Sequence, residues 1–195
     1  MHELVIASNN NGKIVEIRRL IPDISLLSLK DIGFTREIPE PFHTFRENAF
    51  TKADTIYRAV GKSVFADDSG ICVGHLNGAP GVNSAHYSGK RDDEANLQLL
   101  LQQMEGVINR TAWYTAIICL IWDGDTHYFE GKCEGTLLEE KRGNGGFGYD
   151  PIFVPDGYDK TFAELPLNVK NEISHRGKAV KKMVHFIEQQ IIGNK

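Results

Sequence analysis

Two strand-like stretches, Trp113–Trp122 and His127–Glu130, flank Asp123-Gly124-Asp125. Asp and Gly between two such runs signal a tight hairpin turn, so the chain contains at least one antiparallel pair. That excludes a purely parallel sheet. Around the hairpin, strand and helix patterns interleave irregularly. Leu4–Ala7 reads as a short buried strand stopping at the polar run Ser8–Asn11. Ile14, Ile17, Arg18 and Ile21 follow at helical spacing, in a helix that ends before Pro22. Thr44–Val60 reads as a second helix, with a capping-box pattern at Thr44 and Glu47. Val64–Ala66 is a strand that breaks at Asp67-Asp68-Ser69-Gly70 and resumes at Ile71–Val73. Asp92–Met104 is a helix, Ile152–Val154 a strand and Lys178–Ile192 a closing helix. This order predicts an α/β fold, a mixed sheet with helices on its faces.

With 195 residues, 41% of them hydrophobic and 25% charged, the chain has enough apolar material for one ordinary domain, taken as residues 1–195. The net charge of −4 argues against a nucleic-acid coat, which needs a basic stripe. It leaves room for an anionic small ligand in a local basic pocket. No run approaches the roughly 20 apolar residues of a membrane span, and the N-terminal apolar run is too short for a signal peptide. The three cysteines form no CxxC pair, which argues against a disulfide framework or a zinc site. A reducing, cytoplasmic setting is the expectation.

Four segments carry residues suited to chemistry. Ser8-Asn9-Asn10-Asn11-Gly12-Lys13 lies between a strand and a helix, where exposed amides bind anions and Lys13 adds charge; it is equally a capped polar turn. Asp67-Asp68-Ser69-Gly70 can hold Mg²⁺ together with substrate phosphates or deprotonate a water, and it is also ordinary turn composition. Gly143–Pro151 contains GxGxxG but lacks the strand-then-helix context of a dinucleotide fold. It reads as a glycine loop presenting Phe147 and Tyr149 to a base, or as a plain hairpin loop with both rings in the core. Lys170 to Gly177 gathers Lys170, His175 and Arg176 before the last helix, with Ser174 placed to cap it. Asn48 and Lys52 share a face of the second helix. A phosphate cradle, a carboxylate pair, a stacking surface and a donor cluster are together what a nucleoside triphosphate requires.

These segments resemble the inosine triphosphate pyrophosphatases, a family that acts on non-canonical purine nucleoside triphosphates. SNNNGK is similar to the family's (S/T)xNxxK opening, and FRENAFTKA to its ENAxxKA helix. FADDSGICVGHLNGAPGVNSAHYSG, GNGGFGYDPIF and ISHRGKAVKKM follow in the family's order. The chain departs at Asn9, where many members carry Gly, and at His86, where the family has Arg.

The resemblance implies an elongated mixed β-sheet flanked by helices, with two lobes around a central substrate cleft. It implies hydrolysis of ITP, dITP and XTP to the monophosphate and pyrophosphate by a cytoplasmic, Mg²⁺-dependent homodimer that keeps the nucleotide pool clean. Ser8, Asn9, Asn10, Asn11, Gly12, Lys13 and Lys52 would hold the triphosphate, and Ser69 would bind substrate. Asp68 would activate water and, with Asp67 and Glu40, hold the metal. Phe147, Gly148, Tyr149, Asp150, Lys170, His175 and Arg176 would enclose the nucleoside, with Arg176 donating to the base's 6-oxygen. A nucleotide sensor, or a pyrophosphatase for modified pyrimidines or ordinary triphosphates, is the alternative. The intact Asp67-Asp68 pair favours an enzyme over a sensor.

Overall fold

The strand patterns come together in one six-stranded sheet, ordered β2-β1-β3-β4-β5-β6. The computed structural model describes residues 3–21 and 24–193. Its strands are β1 (Glu3–Ile6), β2 (Ser25–Leu27), β3 (Val64–Val73), β4 (Thr111–Trp122), β5 (Asp125–Leu137) and β6 (Phe153–Pro155). Its helices are α1 (Asn11–Leu20), α2 (Phe45–Val60), α3 (Asp93–Gln103), α4 (Leu167–Ile173) and α5 (His175–Gly193). β1 runs parallel to β2 and to β3, whereas β5 and β6 are antiparallel, so the sheet is mixed as the hairpin requires. That hairpin joins β4 to β5 through Asp123 and Gly124, both at positive φ (49° and 96°), the backbone of a type I′ turn.

Three expectations need correction. β3 does not break at Asp67-Asp68-Ser69-Gly70; it runs unbroken from Val64 to Val73. Asp, Ser and Gly favour turns when exposed, but here all ten positions except Ser69 are buried, and cationic side chains pair both carboxylates. β5 extends seven residues past Glu130, because its residues continue to alternate buried and exposed. β2 and α4, of three and seven residues, were not foreseen; both are too short for a periodic pattern to show. The first helix ends at Leu20, with Ile21 of the predicted spacing as its C-cap, and Pro22 lies outside the described residues.

The chain divides into two compact units. Met1–Asp68, Ala116–Gly131 and Arg176–Lys195 form the first. Its central strands β1, β3 and β4 are buried on both faces, and the alternation of side chains sorts them. Leu4, Ile6, Phe65, Ile118 and Leu120 pack with Ile17 of α1 and with Val180, Met183 and Ile187 of α5. Val5, Val64, Ala66, Cys119 and Ile121 pack with Ala49, Ala53 and Ile56 of α2. Each fully buried Leu, Ile or Phe contributes about 1.5–3 kcal/mol, so these two layers hold the helices in place. Thr44 caps α2 by accepting from the Glu47 N–H at 3.2 Å, and Gly61 closes it in a left-handed conformation.

Ser69–Thr115 and Lys132–His175 form the second unit. Its core joins Ile71 and Val73 of β3, Leu97 and Leu100 of α3, Leu137 of β5, and an aromatic group of Tyr114, Phe153 and Phe162. Tyr114 meets Phe153 edge-on at 4.9 Å and lies parallel to His175 at 4.6 Å. Gly70 is needed for close approach: a Cβ there would collide with Gly81 O and Ser84 Oγ, and that space lets Ser84 Oγ accept the Ile71 N–H at 2.9 Å. Among the described residues, no helix is long and apolar enough to cross a membrane.

Candidate active site

The alternation along β3 decides where its two carboxylates go. Phe65 faces α1 and α5, so Asp67, two residues on, faces them as well. Ala66 faces α2, and so does Asp68. Adjacent residues of one strand therefore enter two different cationic surroundings.

On the first face, the polar run after β1 is a built helix start. Ser8 Oγ accepts the Asn10 N–H at 3.2 Å, and Asn10 Oδ1 caps α1 by accepting the Lys13 N–H at 3.1 Å. The cap fixes the first turn, and Lys13 Nζ then lies 2.9 Å from Asp67 Oδ2. Arg176, in the first turn of α5, places Nε 3.4 Å from the same oxygen and Nη1 2.5 Å from Glu16 Oε2 on α1. Burial alone would raise the Asp67 carboxyl, but Lys13 and Arg176 outweigh it and hold it well below the usual carboxylate range. The Lys13 ammonium shifts down, because burial outweighs the attraction of Asp67.

On the second face, Lys52 of α2 stands between two acids. Its Nζ contacts Glu40 Oε1 and lies 3.5 Å from Asp68 Oδ1. The Asp68 carboxyl is pushed up, chiefly by burial, against the pull of Lys52 and Lys13. Lys52 moves up despite its burial, because Asp68 and Glu40 favour its charge. Asn48, one turn before Lys52, clamps the approach to α2: it accepts the Phe42 N–H at 3.0 Å and donates to Phe42 O at 3.1 Å.

The second unit carries the glycine loop. Asp150 Oδ2 accepts from the Phe147 N–H at 2.9 Å and from Lys170 Nζ at 2.7 Å. Gly146, at φ +72°, leaves room for that carboxylate where a Cβ would stand. Asp93 Oδ2, at the start of α3, accepts the Gly148 N–H at 3.0 Å. Phe147 remains half-buried, with Lys170 Nζ 5.0 Å from its ring centre. Tyr149 does not present a face: its ring is buried in the core and its hydroxyl donates to Ser84 O at 2.8 Å. Of the two aromatic residues, Phe147 alone fits the stacking reading, because the buried tyrosine needs its hydroxyl partner inside. His175 is buried against Tyr114.

The donor chemistry around β3 fits a hard divalent cation. Mg²⁺ takes oxygen ligands, commonly one or two carboxylates plus substrate phosphates. Lys52 shows that Glu40 and Asp68 can reach one cation together. Glu40 and Asp68 carry two negative charges against the single positive charge of Lys52 when all three are ionised. Among the described residues, no three His, Cys, Asp or Glu side chains converge as a ready-made cage, so oxygens of the substrate or of water would complete such a site.

Of the sequence candidates, the fold brings Lys13, Asp67 and Arg176 together on one face of β3 and Lys52, Asp68 and Glu40 together on the other, both in the first unit. Asn9, Asn10 and Asn11 lie exposed at the start of α1, with Ser8 and Gly12 half-buried, and Ser69 lies half-buried in β3. Gly148, Asp150, Lys170 and His175 belong to the second unit. Two residues escaped sequence reasoning. Glu16 is buried and pairs Arg176; its spacing of three from Lys13 on one helix face was the available signal. Tyr114 supports His175 across 61 residues of chain, and nothing local announces that contact.

Residues 4–186 match the model of the Ham1 family. A Flavobacterium johnsoniae protein named dITP/XTP pyrophosphatase is 46% identical over 187 residues, covering 95% of this chain and 97% of its own. A Bacillus subtilis protein of the same name is 44% identical, covering 96% and 98%. Among solved structures, the Staphylococcus aureus Ham1 protein superposes with a TM-score of 0.88 at 39% identity, over 96% of this chain and 99% of that one.

Proposed function

Since the chain belongs to the Ham1 family, we propose that it hydrolyses the non-canonical purine nucleoside triphosphates ITP, dITP and XTP to the monophosphate and pyrophosphate. The observation that carries this reading is Asp68, a buried carboxylate 3.5 Å from the ammonium of Lys52, a lysine suited to phosphate. Both units, residues 1–195, serve this one activity. Acting on free nucleotides, the enzyme works in the cytoplasm as a homodimer and cleanses the nucleotide pool.

The segment 8–13 and Lys52 take the polyphosphate, and Ser69 contacts substrate. Asp68 accepts the proton of the attacking water, the role of a carboxylate held at the reacting site. Lys13 and Lys52 offset the negative charge that develops on the leaving pyrophosphate. Asp68, Asp67 and Glu40 would hold Mg²⁺, which would neutralise phosphate oxygens and acidify water. Phe147 stacks on the base, with Gly148, Asp150, Lys170 and His175 enclosing the nucleoside and Tyr149 anchoring the loop from the core. Glu16 and Asp67 hold the plane of the Arg176 guanidinium, a donor-only group. Its donors suit the 6-oxygen of hypoxanthine and xanthine and oppose the 6-amino group of adenine. A mispaired buried donor costs about 1–3 kcal/mol, one to two decades of discrimination against ATP.

The test is a substrate panel of ITP, dITP, XTP, ATP and GTP, with phosphate products identified. Pyrophosphate is the expected product, and chelation should abolish turnover. Asp68→Asn should lower it about a hundred- to ten-thousandfold while leaving the fold intact. Arg176→Ala should reduce kcat/KM for ITP and XTP more than for ATP. Orthophosphate release, or near-normal turnover by Asp68→Asn, would overturn the reading.

A further inference from the structure

Lys52 has a contact pattern unusual for a residue assigned only to phosphate binding. Its side chain, 10% exposed, is held by two carboxylates, Glu40 and Asp68, that come from different stretches of chain. These are two of the residues read above as metal ligands. We propose that Lys52 competes with the divalent cation for Glu40 and Asp68, so that tight metal loading depends on the triphosphate taking over the lysine's charge. This rests on the metal reading of the proposed function and deepens it.

The argument is one of charge and reach. An ammonium group and a divalent cation seek the same hard oxygens, and neither tolerates the other at contact distance in a poorly solvated site. Glu40 and Asp68 exceed Lys52 by one negative charge while the lysine stays, and by two once its charge moves onto a phosphate. Lysine suits this exchange: it is a point charge on a flexible stem with no fixed fork to re-form. α2, capped at Thr44 and Gly61, keeps the base of that stem in place while its end swings. Triphosphate and metal thereby favour each other's binding, and the coupling acts equally in both directions.

The experiment measures binding without turnover. Mn²⁺, a paramagnetic substitute for Mg²⁺, is titrated into the full chain, and free Mn²⁺ is followed by electron paramagnetic resonance. The titration is repeated with an ITP analogue blocked at the bond between the α and β phosphates. The wild type should bind Mn²⁺ weakly alone and much more tightly with the analogue. Lys52→Met should bind Mn²⁺ alone roughly tenfold tighter or more, and lose most of the gain from the analogue. Lys52→Arg, which keeps the charge, should resemble the wild type. Adding Asp68→Asn to Lys52→Met should remove the gained affinity. If Lys52→Met does not fold, Lys52→Gln makes the same comparison.

Wild-type affinity in the neutral variants, or an equal gain in Lys52→Arg, overturns the competition and leaves the metal reading standing. A gain that survives Asp68→Asn puts Mn²⁺ elsewhere and also overturns it. Hydrolysis that resists chelation, with no Mn²⁺ bound beyond the analogue's own share, overturns the metal reading itself.

Discussion

Burial would raise both carboxyls of the Asp67-Asp68 pair, yet only Asp68 rises. Asp67 meets two cations, Lys13 and Arg176, while Asp68 shares Lys52 with a second acid, Glu40. Their effects on acid stability have opposite signs. A carboxyl depressed by folding stabilises above its ordinary 3.8 and loses that contribution as pH falls toward its folded value. A raised carboxyl stabilises at low pH and costs stability once pH exceeds its folded value. Asp67→Asn should therefore be less stable than the wild type at pH 7 and show a flatter loss of stability below about pH 4. Chemical denaturation across pH checks this; an unchanged acid limb would mean the Lys13 and Arg176 pairs add nothing. The two residue types were visible as a site in the sequence. Their division of labour was not, because it depends on which helix each carboxylate faces.

At the scale of elements, the glycine loop depends on the start of α3. Asp93 is exposed, but its carboxylate holds the Gly148 N–H next to Phe147. Removing that acceptor in Asp93→Ala should free the loop and raise KM for ITP several-fold, consistent with about 1 kcal/mol for one charge-assisted bond in a wet setting. Asp93→Asn keeps an acceptor and should restore most of the loss. In a Phe147→Ala background, Asp93→Ala should add little, since the ring it positions is gone. Steady-state kinetics of the wild type, the two alanine variants and their double form a double-mutant cycle, and full additivity would refute the link. α3 itself was legible from its periodicity and its acidic first turn. The link from Asp93 to Gly148 spans 55 residues and left no local trace.

At the scale of the molecule, the cysteines separate chemistry from packing. Cys72, Cys119 and Cys133 are all buried, and none is in a disulfide. The Cys119 thiol is pushed up to about 12, mainly by burial, which leaves it inert as a nucleophile at neutral pH. Cys119 packs with Ile121 and α2, and Cys133 with the core of the second unit. A triple variant, with Ala at these sites, should keep its kcat and lose only a modest amount of stability. Turnover and thermal unfolding of the same preparation check this, and a collapse of kcat in the folded variant would give a cysteine a role in the reaction.

The sequence alone determined which residues carry charge, where hydrophobic period changes from strand to helix, and which motifs stand in which order. Those properties are local, so periodicity, the Asp-Gly turn and the Thr44 cap announce them directly. Tertiary structure decided whether Asp67-Asp68-Ser69-Gly70 is a turn or a strand. Local propensity favours the turn; two layers of apolar side chains and the cations of α1, α2 and α5 make the buried strand the better state. It also decided that Tyr149 belongs to the core and Phe147 does not. Composition cannot separate two aromatic rings two residues apart, but a buried carbonyl acceptor at Ser84 holds only one of them.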